Sequence, residues 1–83
     1  MKEITVEKVI EILNASIENA EITKDKLDED LSELGMDSIT FIQIIVALEE
    51  EFECEVPDSK LLLVEMNTAN KIVQVLKDIE ATT

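Results

Sequence analysis

An all-α fold is the expectation for this chain: three longer helices, a short third helix, and a long loop between helices one and two. Three observations carry it. Apolar residues recur at helical spacing in separate segments. The turn-formers and aromatics that a β-sandwich needs are scarce, with one Gly, one Pro, two Phe and no Trp or Tyr. At 83 residues and 46% apolar composition, the chain is too short for more than one domain and too apolar to be disordered, so residues 1–83 are expected to form a single domain.

In the first segment Val6, Val9, Ile10, Leu13 and Ile17 recur at i, i+3, i+4, i+7 and i+11, one stripe of an amphipathic helix. This predicts a helix near residues 5–18. Thr5 is placed to cap it, and Lys8 stands where a capping box would have Glu. Residues 19–36 then read as a long acidic connection, with Leu27, Leu31 and Leu34 as its anchors on the core. The second helix is expected near Ser38–Glu53. Pro57 ends the extended piece after it, and Asp58 can cap the short third helix, SKLLLV. The last helix is expected near residues 69–80, with Thr68 as cap and Ala69, Ile72, Val73 and Leu76 as its stripe.

The second helix carries more apolar surface than one core face requires. On a wheel of about 100° per residue, Phe41, Ile44, Ile45, Leu48 and Phe52 share one arc. Ile39, Ile42 and Val46 fall in a separate arc, bordered by Gln43, Ala47 and Glu50. Two readings of that arc stand: Ile42, on the boundary, is core and the other two are partly covered by neighbours, or the arc is an exposed apolar stripe for a partner or cargo, which is the reading favoured.

Charge and composition exclude several functions. Twenty acids against seven bases give a formal charge of −13, which repels nucleic acid and anionic membranes. The chain has no His, which removes His-based acid–base catalysis and His–metal sites. The acidic run DKLDED invites a calcium loop, but the EF-hand pattern needs Gly at position six and Glu at position twelve. Counted from Asp25 those places hold Asp30 and Met36, and from Asp28 they hold Glu33 and Ile39. The lone Cys54 allows no intrachain disulfide, fits core packing and suits a reducing cytosol. The opening residues carry Glu3, Glu7 and Glu11 and do not make a signal peptide. No apolar run is long enough to span a membrane. A cytoplasmic monomer is expected.

Ser38, in ELGMDSITFIQII, has three possible roles. As a nucleophile it needs a base, and without His only Lys or a carboxylate could serve. GMDSI is not a G-x-S-x-G elbow either. Ser38 could help to cap the helix, as Ser and Asp both do well. As a third possibility it is itself modified. Gly35 allows a tight turn and close approach. A phosphodiester on Ser38 would sit at a helix N-terminus, where the dipole favours an anion, and its arm would emerge beside Ile39, Ile42 and Val46.

These segments resemble the acyl carrier protein family of acyl, peptidyl and D-alanyl carriers. The match is DLSELGMDSITFIQIIVALEEEFECEVPD at residues 30–58, followed by NTANKIVQVL. The resemblance implies a four-helix bundle that catalyses nothing itself. It implies that a separate phosphopantetheinyl transferase attaches 4′-phosphopantetheine from coenzyme A to Ser38, within a motif that includes Gly35, Asp37 and Ile39. It implies cargo held as a thioester, an acyl- or aminoacyl-loading enzyme, and a downstream synthase or transferase. The partner face would comprise Ile39, Ile42, Gln43, Val46, Ala47 and Glu50. Two and five places after the serine, fatty-acid carriers commonly have acids, and here stand Thr40 and Gln43. NTANKIV is closer to D-alanyl and peptidyl carriers. The reading favoured is a free-standing carrier in a specialised pathway, whether polyketide, nonribosomal peptide or fatty-acid related. A D-alanyl carrier for cell-wall polymers is the alternative, and a non-carrier helical interaction module is the rival from another class.

Overall fold

The computed structural model describes residues 3–18, 20–57 and 66–81. Among the described residues there are three α-helices and no strand: α1 (Val6–Ser16), α2 (Ser38–Phe52) and α3 (Ala69–Ala81). Two short 3-10 turns, Lys24–Lys26 and Leu31–Leu34, lie in the connection from α1 to α2. The expected short helix SKLLLV and its cap Asp58 lie outside the described residues.

Each helix forms where its apolar spacing places it. Thr5 caps α1 by accepting the Lys8 N–H at 3.3 Å. The helix ends at Ser16, two residues before the expected end, as Ile17 turns extended while its N–H still reaches Leu13 O. Val9, Leu13 and Ile17 are buried, and Val6 and Ile10 are partly buried beside them. Helix α2 runs one residue short of its expected end and stops at Glu53, a left-handed cap with φ 54°. Thr68 caps α3 by accepting the Lys71 N–H at 3.1 Å. Ala69, Ile72, Val73 and Leu76 are the buried face of α3, as its stripe predicts. Helix α1 packs against both α2 and α3. Burying side chains as large as Leu13, Ile44, Leu48 and Leu76 contributes about 1.5–3 kcal/mol each.

The long connection is folded onto this core. Leu31 is fully buried, while Leu27 and Leu34 are half-buried against the same cluster. Ile22 and Met36, which the sequence left unassigned, are buried too. Asn14 on α1 holds the start of the connection with both ends of its amide. Its Nδ2 donates to Ile22 O at 3.0 Å, and its Oδ1 accepts the Ile22 N–H at 2.8 Å. An exposed ion pair, Lys24 to Glu7 at 2.6 Å, adds a second tie to α1. That pair lowers the Glu7 carboxyl and raises the Lys24 amine from their ordinary values, but solvent screening leaves it little weight in stability.

Candidate functional site

The segment that presents Ser38 is a turn wired to itself. Asp30 caps it by accepting from the Ser32 N–H at 2.9 Å and the Ser32 hydroxyl at 2.6 Å. That hydroxyl is the main reason the Asp30 carboxyl sits below its ordinary range. The Met36 N–H donates back to Leu31 O at 3.0 Å. Gly35 closes the turn at φ 111°, a left-handed conformation that L side chains rarely adopt. Its missing Cβ would stand 3.6 Å from Ile17 Cγ2, so the space is adequate and the backbone angle is what calls for glycine.

Asp37 and Ser38 divide the start of α2 between them. Asp37 is the N-cap, and its Oδ1 accepts the Thr40 N–H at 2.8 Å. That donation, with help from the Thr40 side chain, holds the Asp37 carboxyl below the ordinary carboxylate range. Ser38 is then the first helical residue and is exposed. With the cap supplied by Asp37, the Ser38 hydroxyl has no structural duty, and no described residue is hydrogen-bonded to it. No described Lys or carboxylate is therefore in place to draw off its proton. The hydroxyl sits at the positive end of α2, among amides that lack intrahelical acceptors. An exposed, unengaged hydroxyl at that end suits a covalently attached phosphate.

The two arcs of α2 separate as the wheel predicts. Phe41, Ile44, Ile45, Leu48 and Phe52 are its buried residues. Ile39, Ile42 and Val46 are 69%, 61% and 47% exposed, and they are the large exposed hydrophobics among the described residues. Ile42, on the boundary of the two arcs, belongs outside. Gln43 and Glu50 are exposed beside this stripe, and Ala47 is half-buried. The stripe starts at Ile39, the residue after Ser38, and continues along α2. Gly35, Asp37, Ser38 and Ile39 thus form one contiguous feature. Sequence reasoning missed Asp30 and Met36, which shape its approach; the Asp-x-Ser spacing was the available signal for Asp30.

Cys54 stands apart from this feature. It is half-buried, and burial, followed by the charge of Glu49, pushes its thiol above the ordinary value. That is the setting of a packing residue and not of a reactive thiolate. No described helix is long and apolar enough to cross a membrane.

Comparison with known proteins bears on the same segment. The family model described as "Phosphopantetheine attachment site" matches residues 6–76. A D-alanyl carrier protein of Lactobacillus helveticus is 35% identical over 77 residues, covering 92% of this chain and 95% of its own. One from Leuconostoc citreum is 37% identical over 68 residues, covering 81% and 85%. One from Streptococcus gordonii is 41% identical over 68 residues, covering 81% and 84%. No solved structure matches. Matched along most of its length by both the attachment-site model and these carriers, the chain belongs to the acyl carrier protein family, and the group it carries covalently is 4′-phosphopantetheine.

Proposed function

We propose that Ser38 is the attachment residue and that the protein is an aminoacyl carrier, with D-alanine as its cargo. The observation that carries the first half is the exposed Ser38 hydroxyl at the first position of α2, released from capping by Asp37. Asp37 and the turn at Gly35 orient that hydroxyl. The positive end of the α2 dipole favours the phosphate charge that modification brings. Once attached, the arm supplies a thiol on which the cargo is held. Ile39, Ile42 and Val46, with Gln43, Ala47 and Glu50, are the surface that the transferase and the loading enzyme read.

The D-alanyl reading comes ahead of the polyketide, nonribosomal peptide and fatty-acid readings for two reasons. The relatives at 35–41% identity are named D-alanyl carrier proteins. Thr40 and Gln43 also leave the start of α2 without the acids of fatty-acid carriers. A basic synthase surface therefore has less charge to pair with there. In this reading the chain is a four-helix bundle and a cytoplasmic monomer that catalyses nothing itself.

The test has two stages. Incubation with a phosphopantetheinyl transferase and coenzyme A should add one phosphopantetheinyl mass to the wild type and none to Ser38→Ala. A D-alanine-activating ligase with ATP should then load D-alanine onto the modified protein in preference to L-alanine or fatty acids. Modification of Ser38→Ala would refute the site. Preferential fatty-acyl loading, or docking of a partner that ignores modification altogether, would refute the function.

A further inference from the structure

The segment NTAN, residues 67–70, is not used by the reading above, yet its two asparagines, Asn67 and Asn70, join the long connection to the head of α3 along a seam. Asn67 O accepts the Leu31 N–H at 2.7 Å. Thr68 caps α3. Ala69 is buried. Asn70 holds the connection twice: its N–H donates to Leu27 O at 3.0 Å, and its side-chain Nδ2 donates to Asp28 Oδ1 at 2.7 Å. A loop carbonyl thus satisfies one of the amides that the head of α3 leaves open.

The seam leads to Ser38 through continuous bonds. Leu31, held by Asn67, begins the turn over residues 31–34. Leu31 O accepts the Met36 N–H, and Met36 is buried immediately before the Asp37 cap. The turn is internally bonded, so it moves as a unit, and the head of α3 is the surface against which that unit is set. The Asn70–Asp28 bond is one side-chain contact of the seam, beside the charge of Lys71 that acts on Asp30. It can be removed without touching the core, because both residues are exposed.

We infer that Asn70 is a positioning residue for modification: acting through Asp28, it sets the attachment turn against α3 so that Ser38 is presented in one orientation. The inference rests on Ser38 being the attachment site. Without the bond, the turn spends part of its time displaced. A transferase that accepts one orientation then sees a lower competent fraction. That fraction raises KM for the carrier and leaves kcat unchanged.

Two measurements on the unmodified full-length chain test this. In transferase kinetics, Asn70→Ala and Asp28→Ala should each raise KM, by at most about tenfold, because losing one such hydrogen bond cannot lower the competent fraction by more than its own equilibrium factor. Their double variant should be no worse than either single one. Asp28→Asn combined with Asn70→Asp keeps an amide facing a carboxylate and should return KM towards wild type. Gln74→Ala removes an exposed α3 bond of similar kind, Gln74 Nε2 to Asp78 Oδ1 at 3.0 Å, and should change nothing. In hydrogen exchange, Asn70→Ala should speed the Leu31 and Met36 amides and spare those of α1. Unchanged exchange, additive KM effects, a fall in kcat instead of a rise in KM, or no rescue by the swap would each overturn the inference while Ser38 modification stands. A wild-type chain that accepts no phosphopantetheine would overturn the site itself. The exchange result would still report whether Asn70 holds the turn.

Discussion

Helices α2 and α3 are of similar length and sit in the same core, yet they spend their surfaces differently. Helix α3 buries Ala69, Ile72, Val73 and Leu76 and turns Asn70, Lys71, Gln74, Lys77, Asp78 and Glu80 to solvent. That is what folding alone asks of an amphipathic helix. Helix α2 buries a comparable arc and then exposes Ile39, Ile42 and Val46 as well. Their entries differ too. Helix α3 is capped by Thr68, which is buried and neutral, while α2 is capped by Asp37, which is exposed and charged, after a turn that depends on Gly35. The contrast separates what the bundle buries from what its partners touch: the described surface of α3 carries no such stripe, and α2 carries both faces.

Four substitutions sharpen or break that contrast, ordered by their expected effect on stability. Leu48→Asp places an unpaired charge in the inner arc of α2, where Leu48 is fully buried. The cost should be about 3–5 kcal/mol, most of the margin of a small domain, and a thermal melt should show the chain unfolded. A melt within a few degrees of wild type would mean that the inner arc is not core. Gly35→Ala forces a side chain to φ 111° and should cost about 1–2 kcal/mol in urea denaturation. Equal stability would show that the entry to α2 is as tolerant as the entry to α3.

The third substitution uses the difference between the caps. The folded-state value of Asp37 is lowered by the Thr40 N–H, so its ionised cap stabilises fully above the ordinary carboxylate range. That contribution is lost as pH falls through the lowered value. Asp37→Asn keeps a cap without the charge. Wild type should therefore melt above Asp37→Asn at pH 7, and the gap should close in acid. Thr68→Ser should show no such pH dependence. A gap that persists in acid would assign the role of Asp37 to something other than charge. The smallest effect on stability is expected for Val46→Asp, within about 1 kcal/mol of wild type, since Val46 is 47% exposed. Loading should nonetheless slow. Unfolding by Val46→Asp would make the outer stripe part of the core after all, and normal loading would show the stripe exposed but unread.

Much of this was legible in the sequence where a period repeats. The inner arc of α2 and the stripe of α3 were recoverable because five and four apolar residues share one face, and Thr5 and Thr68 stand directly before the patterns of α1 and α3. The outer stripe was legible for the same reason. Ile4, Ile22, Met36, Val56 and Met66 are buried as well, but each is a single apolar residue in irregular chain, where no period marks it. The turns at 24–26 and 31–34 were hidden in an acidic run whose charges suggest only solvation. Asp37 and Ser38 are both good caps by residue type, and only the placed hydrogen bond decides between them. The bonds of Asn14 to Ile22 and Asn70 to Asp28 join positions 8 and 42 residues apart, and no local pattern announces either partner.

The separation in that last bond has a consequence for when the protein becomes competent. A chain is synthesised from its N-terminus, so the residues of the serine turn leave the ribosome well before residues 67–70. Asn14 can close its short loop early, because its partner follows within a turn or two of chain. Leu31 and Asp28 must wait for a segment still to be made. Until then Ser38 stands on a turn that nothing from the far end holds. A transferase that favours the seated turn would therefore tend to pass over nascent chains and truncated products, and commit coenzyme A to molecules whose last helix is already in place.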